Sequence, residues 1–154
     1  MTLAIHRIAN ERDFHDLHHL FLEYELELPP RLRHGVVPTV RELQDAYAEP
    51  NAAFLATFDG TAAGCVAVTL LDRDTGLLRH LFVRPQSRKL GAARALVEEV
   101  LAFARRGAHR RVVLDTDKEA LPAAYRLYRS LGFTECAPHG PVSYETPTYM
   151  ELLL

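Results

Sequence analysis

A short basic stretch near the middle of the chain has the residue types of an anion-binding loop. It reads Gln-Ser-Arg-Lys-Leu-Gly-Ala-Ala over residues 86–93, so that two cations are followed by small residues. Small residues let a backbone approach a ligand closely, and the free N–H groups at the start of a helix attract a phosphate. We therefore expect a phosphate group to be held here, by Arg88, Lys89, Leu90, Gly91, Ala92 and Ala93.

A strand and a helix must position this loop. Residues 81–83 are apolar and β-prone, and Arg84-Pro85 stops the strand because proline has no N–H to give to a ladder. Apolar residues then recur at helical spacing from Ala93 to Ala104, and Gly107 stands where a helix C-terminal glycine is expected. The loop is thus predicted to join a strand to the first turn of a helix.

The other elements follow from caps, turns and periodicity. Asn10 is a good N-cap, Thr39 and Glu42 have capping-box spacing, and Asp59-Gly60 predicts a hairpin. A polar turn is expected over 72–76. Strands are predicted over 2–8, 52–58, 61–71, 77–83, 110–116, 133–137 and 148–153, with helices starting after Asn10, at Thr39, near Ala93 and at Pro122. Three consecutive strands in the order β-α-α-β-β-β-α-β-α-β-β favour a mixed sheet.

Composition narrows the class of protein. The 154 residues fit one domain, residues 1–154, and a net charge of −2 gives no reason to expect nucleic acid. No apolar run approaches the ~20 residues of a membrane span, and the N-terminus lacks a signal-peptide pattern. Cys65 and Cys136 fall in predicted strands, so we expect buried thiols in a reducing cytoplasm. The adjacent His18 and His19 do not share a helix face, so we expect no metal.

Two segments carry a resemblance to a known family. Arg88-x-x-Gly91-x-Ala93 resembles the acetyl-CoA signature of the GNAT N-acetyltransferase superfamily, and Ala-Tyr-Arg-Leu-Tyr-Arg-Ser-Leu-Gly-Phe over 124–133 resembles its helix-then-strand segment. Leu-Asp-Thr at 114–116 and Tyr-Met-Glu-Leu at 149–152 are similar to a small bacterial single-domain subgroup. The resemblance implies the α/β (α+β) GNAT fold, with a mixed, mostly antiparallel central sheet of about seven strands flanked by about four helices.

The resemblance also implies a reaction and roles for residues. Acetyl would pass from acetyl-CoA to an amine of a small molecule or peptide. The loop amides would hold the CoA pyrophosphate with Arg88 closing over it, and the backbone of Phe82 and Val83 would pair with the pantetheine arm. Tyr128 would protonate the departing thiolate, because a phenol is protonated at neutral pH. Tyr128 also lies on an apolar helix stripe, where a core tyrosine is the alternative.

The general base is the part of the site that the sequence does not identify. Many GNAT enzymes carry a glutamate six residues before the strand-end valine, and here that position is Leu77. His80 lies on the same strand and a free imidazole titrates near neutrality, but strand alternation predicts that His80 lies on the face opposite Leu77, Leu81 and Val83. Glu23 and Glu25, near the end of the first helix, are further candidates, although acidic residues there are usually solvated.

Three readings of the function remain open at this stage. The first is an N-acetyltransferase, and the second is an acetyl-CoA-binding sensor of the same fold with little turnover, which Leu77 motivates. The third, an unrelated nucleotide-binding protein, is disfavoured because the loop lacks the P-loop lysine-serine/threonine ending. The first helix, the 31–38 loop and the loop with His139 and Tyr144 are the expected acceptor-pocket walls. The resemblance leaves open whether the chain is a monomer or a homodimer.

Overall fold

The computed structural model describes all residues 1–154. In chain order the elements are β1 (Leu3–Arg7), α1 (Glu11–Glu27), α2 (Val40–Ala46), β2 (Ala52–Phe58), β3 (Thr61–Asp72), β4 (Thr75–Val83), α3 (Ala92–Arg106), β5 (Arg111–Thr116), α4 (Pro122–Ser130), β6 (Thr134–Glu135) and β7 (Thr148–Leu153). Short 3-10 helices cover Pro30–Leu32 and Pro85–Ser87. None of the helices has the length and apolarity that a bilayer crossing would need.

The strands form one seven-stranded sheet in the order β1-β2-β3-β4-β5-β7-β6. Every neighbouring pair is antiparallel except β4 and β5, which are parallel and are connected through α3. A parallel pair needs such a crossover, whereas antiparallel neighbours can be joined by a tight turn. The predicted element order and the mixed, mostly antiparallel sheet are confirmed.

Helices cover both faces of the sheet, and each face has its own apolar core. Leu17, Leu20 and Phe21 of α1 pack with Leu43 of α2 over one face. Leu96, Val97, Val100 and Ala104 of α3 pack over the other face, together with Tyr128 of α4. Fully burying such a side chain contributes about 1.5–3 kcal/mol to stability.

Local signals in the sequence place the first half of the fold correctly. Asn10 Oδ1 accepts from Asp13 N at 2.8 Å and starts α1. Thr39 and Glu42 exchange two bonds, Glu42 N to Thr39 Oγ1 at 3.2 Å and Thr39 N to Glu42 Oε1 at 3.0 Å. The predicted hairpin between β2 and β3 turns at Asp59-Gly60, where both φ angles are positive, at 50° and 83°. All three predictions are confirmed.

Two predicted boundaries are wrong, and both depend on distant partners. The turn expected over 72–76 is shorter, because β4 already begins at Thr75 and Gly76 pairs with Val112 of β5. The strand expected over 133–137 keeps only two residues, since β6 pairs with β7 alone and Pro138 follows. Cys136 therefore lies outside the strand and is half-buried, whereas Cys65 is buried as predicted.

Candidate active site

A gap opens between the two parallel strands at the centre of the sheet. Their pairing covers only Thr75–Leu77 of β4 and Arg111–Val113 of β5. Beyond these residues β4 pairs only with β3, and β5 pairs only with β7. The facing edges of β4 from Leu78 and of β5 from Leu114 therefore have no strand partner. We call this gap the splay, and its free edges can receive an extended ligand that carries amide groups.

The loop after β4 gathers free backbone N–H groups at the start of α3. Ala95 N is the first amide of the helix to find a carbonyl, that of Gly91 at 3.1 Å. The amides of residues 89–94 have no hydrogen-bond acceptor in the chain. Positive φ angles at Lys89 (64°) and Gly91 (91°) alternate with ordinary ones, a backbone pattern that makes an anion-binding concavity. We call residues 89–94 the amide cradle; it contains the predicted Lys89, Leu90, Gly91, Ala92 and Ala93.

Arg88 does not extend over the amide cradle in this structure. Its Nε donates to Val83 O at 2.9 Å, its Nη2 pairs with Glu27 Oε1, and its guanidinium lies 5.9 Å from the centre of the Phe82 ring. The side chain thus lies back along the end of β4 and occupies a carbonyl that an extended ligand would otherwise meet. Its predicted contact with a pyrophosphate requires it to leave Glu27.

Arg84, which the sequence analysis treated only as the end of a strand, forms a second ion pair with α1. Arg84 donates three hydrogen bonds to Glu23, from Nε to Oε1 at 2.9 Å and to Oε2 at 3.1 Å, and from Nη2 to Oε2 at 2.7 Å. Its Nη1 donates to Ala62 O at 2.6 Å. Glu23 and Glu27 lie one turn apart on α1. The end of α1 and the loop before the cradle are therefore joined by two ion pairs.

Tyr128 presents a free hydroxyl from a buried ring. The residue is only 5% exposed and packs edge-on against Phe133 at 5.7 Å between ring centres. Its hydroxyl makes no hydrogen bond within the chain, and the oxygen is not completely shielded from solvent. Burial raises the pKa of Tyr128, and its electrostatic interactions with Tyr24 and Asp115 raise it further. The phenol is therefore protonated throughout the physiological range and is able to donate.

Asp115 and Tyr24 are site residues that the sequence reasoning missed. Asp115 lies on β5 beyond the paired part, and its Oδ2 accepts from the Tyr144 hydroxyl at 2.7 Å. Tyr24 of α1 packs 5.5 Å from the ring of Phe82, and burial raises the pKa of its phenol. The charge of Asp115 acts on Tyr24, Tyr128 and Tyr144 alike. These groups therefore surround one region beside the splay. In the sequence, the Leu-Asp-Thr stretch at 114–116 is the pattern that could have indicated Asp115.

His80 lies on the face opposite Leu81 and Val83, as predicted, but on the same face as Leu77, contrary to the prediction from strand alternation. The register between β3 and β4 shifts so that Val66 faces both His80 and Leu81, and the φ of His80 is +57°. This β-bulge turns the imidazole toward α1, where it lies 4.4 Å from the Phe21 ring. Burial is the main cause that lowers the pKa of His80, to about 3, and the neighbouring Arg79 and His34 act in the same direction. The ring is neutral at pH 7 and a weak proton acceptor, so its catalytic role stays a prediction.

Comparison with known proteins decides which family has this arrangement. The model of the acetyltransferase (GNAT) family matches residues 14–133. The chain belongs to the GNAT acetyltransferase family. An uncharacterized N-acetyltransferase of Schizosaccharomyces pombe is 32% identical over 153 residues, covering 92% of this chain and 90% of that protein.

Solved structures agree on the fold. A GNAT-family acetyltransferase of Streptococcus pneumoniae superimposes with a TM-score of 0.80 at 22% identity, covering 99% of this chain and 100% of the other. A phosphinothricin acetyltransferase of Sinorhizobium meliloti, solved with acetyl-CoA, gives 0.81 at 17% identity, covering 100% and 89%. The predicted family, GNAT fold and enzyme class are confirmed: the chain is a member of the GNAT N-acetyltransferases.

Proposed function

We propose that this GNAT enzyme transfers acetyl from acetyl-CoA to a primary amine of a small molecule or peptide by direct attack, with Tyr128 as the general acid. The observation that carries the proposal is the unpaired Tyr128 hydroxyl beside a splay that leads to the amide cradle. A diphosphate needs several donors at once, and the six amides of residues 89–94 lack acceptors in the chain. The residues present therefore suit the co-substrate.

Each part of the co-substrate has a proposed binding group. The amide cradle takes the pyrophosphate, and Lys89 and Arg88 add charge-assisted contacts once Arg88 has left Glu27. The free edge of β4 at Phe82 and Val83 pairs with the amides of the pantetheine arm. Solved relatives support this arrangement, since the S. meliloti enzyme and a putative acetyltransferase of Salmonella typhimurium were both crystallised with acetyl-CoA.

The chemistry follows from where the bonds break. The amine nitrogen attacks the thioester carbonyl, the C–S bond breaks with its electron pair going to sulfur, and Tyr128 gives its phenolic proton to the thiolate. Free N–H groups near the carbonyl oxygen would stabilise the charge that develops there. The raised pKa of Tyr128 keeps the donor protonated until the thiolate forms.

A second candidate function follows from Leu77. An apolar side chain at the position where many relatives carry a glutamate would suit an acetyl-CoA-binding module with little turnover. Isothermal titration with acetyl-CoA should give micromolar-scale binding for either function. A thiol-release assay with 2-phenylethylamine, spermidine, L-lysine methyl ester and a short peptide with a free N-terminus then separates them. If no amine releases CoA above the rate of hydrolysis, the enzymatic proposal is refuted and the binding module is favoured.

A further inference from the structure

The loop between α1 and α2 holds an imidazole against a carboxylate at the edge of the site. His34 Nδ1 lies 3.0 Å from Glu25 Oε2, and Gly35 N donates to Glu25 Oε1 at 2.8 Å. Gly35 has a φ of +94°, in the left-handed region that favours glycine, which lets the neighbouring ring and amide reach the same carboxylate. Both oxygens of Glu25 are therefore occupied, and the orientation of the His34 ring is fixed.

This pairing determines which ring nitrogen is basic. A carboxylate can only accept a hydrogen bond, so Nδ1 of His34 carries the hydrogen and Nε2 holds the lone pair when the ring is neutral. Burial acts to raise the pKa of Glu25, but the hydrogen bonds from His34 and Gly35 outweigh it, so this pKa is lower than usual. Glu25 is therefore ionised at neutral pH and keeps His34 in this tautomer.

The two rings nearest to His34, those of His80 and Tyr24, are uncharged at neutral pH. His80 of β4 lies 5.3 Å away between ring centres and is neutral, since its pKa is lowered to about 3. Tyr24 of α1 lies 6.3 Å away and is neutral because burial raises its pKa. The side chain of His34 is 43% exposed, whereas that of Glu25 is 13% exposed. The imidazole can therefore exchange a proton with water while its carboxylate partner stays enclosed.

We propose that His34 Nε2 accepts the proton that the acceptor amine loses, with Glu25 as the positioning residue, in place of the glutamate that Leu77 lacks. This inference rests on the proposed N-acetyltransferase function. An amine is protonated at neutral pH, with a pKa near 10.4 for a lysine-type amine, and has no lone pair until a base removes a proton. An ammonium acceptor loses two protons in all. One proton passes through His34 to water, and the other replaces the proton that Tyr128 gives to sulfur.

Asp115 is the rival proton acceptor near the splay, and chemistry favours the imidazole. Free aspartate titrates at ~3.9 and free imidazole at ~6.5, and a general base is most effective when its pKa lies near the working pH. Asp115 also already accepts a hydrogen bond from Tyr144. A negative carboxylate at this position would attract the ammonium group of the acceptor. We therefore assign the proton transfer to His34.

The test is the pH dependence of kcat/KM, measured by thiol release with the fastest amine of the panel above. His34→Gln should lower kcat/KM at pH 7 by about 10²-fold or more, remove the acidic limb of the profile, and lose less activity toward pH 10, where free amine is present. Glu25→Gln should cause a smaller loss and move the acidic limb to lower pH, since the imidazole loses the charge that favours its protonated form.

His15→Gln is the matched control, because His15 also pairs with a carboxylate, Glu11 at 3.8 Å, but on the exposed side of α1. It should leave the profile unchanged. A His34→Gln enzyme that keeps the wild-type acidic limb, or that loses the same factor at every pH, overturns the inference while leaving the proposed function standing. Wild-type enzyme that acetylates no amine refutes the proposed function, and the role of His34 is then refuted with it.

Discussion

The ion pair between Arg88 and Glu27 should oppose the binding of acetyl-CoA. Arg88 must leave Glu27 and Val83 O before its guanidinium can reach a pyrophosphate at the amide cradle. The two side chains are 44% and 42% exposed, and exposed pairs contribute about 0.2–1 kcal/mol. Glu27→Gln removes the charge and keeps the size of the side chain. We therefore expect its Kd for acetyl-CoA to be lower than that of the wild type by about 1.4- to 5-fold.

Isothermal titration at low ionic strength measures this difference, which should shrink as salt screens the exposed charges. Glu99→Gln is the control, since Glu99 pairs with Arg106 at 3.6 Å at the far end of α3. Arg88→Gln should weaken binding, and adding Glu27→Gln to it should change the Kd no further. Weaker binding by Glu27→Gln, or the same gain in the presence and absence of Arg88, would refute the reasoning.

Two further predictions concern the amide cradle and the stability of the fold at acidic pH. Gly91→Ala should weaken acetyl-CoA binding in titration and lower the free energy of unfolding in urea by about 1–2 kcal/mol. The cause is the φ of +91°, which strains an alanine even though its Cβ would meet no atom within 4 Å. Gly140→Ala is the control, because Gly140 has the same free space but no positive φ, and it should change neither quantity. The hydrogen bond from Ala120 N is the main cause that lowers the pKa of Asp117 from 3.8 in the folded protein, and it outweighs the opposing effect of burial. Asp117 therefore stabilises the fold above pH 3.8, and this stabilisation is lost as the pH falls through the lower pKa of the folded state. Urea unfolding should therefore show Asp117→Asn destabilised at pH 7 and closer to wild type at pH 3; an equal gap at both pH values would contradict this.

The sequence predicts those features of the fold that depend on neighbouring residues. The N-cap at Asn10, the capping box at Thr39 and the hairpin turn at Asp59-Gly60 each need only a few adjacent side chains, and each is confirmed. The amide cradle is local in the same sense, because small residues and the first turn of α3 are sufficient to expose its N–H groups.

Features that depend on distant partners were not predictable in this way. Glu27 and Arg88 are separated by 61 residues, and nothing in either segment indicates the other. The bulge at His80 depends on its pairing with β3, so counting alternate residues along β4 gave the wrong face relative to Leu77. Glu25 and His34 are only nine residues apart, but the turn at Gly35 that joins them is not a periodic pattern.

The most direct test of the account is the rate of CoA release by Tyr128→Phe. Because the hydroxyl makes no hydrogen bond in the chain, its removal should leave the melting temperature and the Kd for acetyl-CoA unchanged. The value of kcat/KM should fall by about 10²- to 10⁴-fold, the usual contribution of a positioned general acid. A Tyr128→Phe enzyme that releases CoA as fast as the wild type would contradict the assignment of Tyr128 as the proton donor.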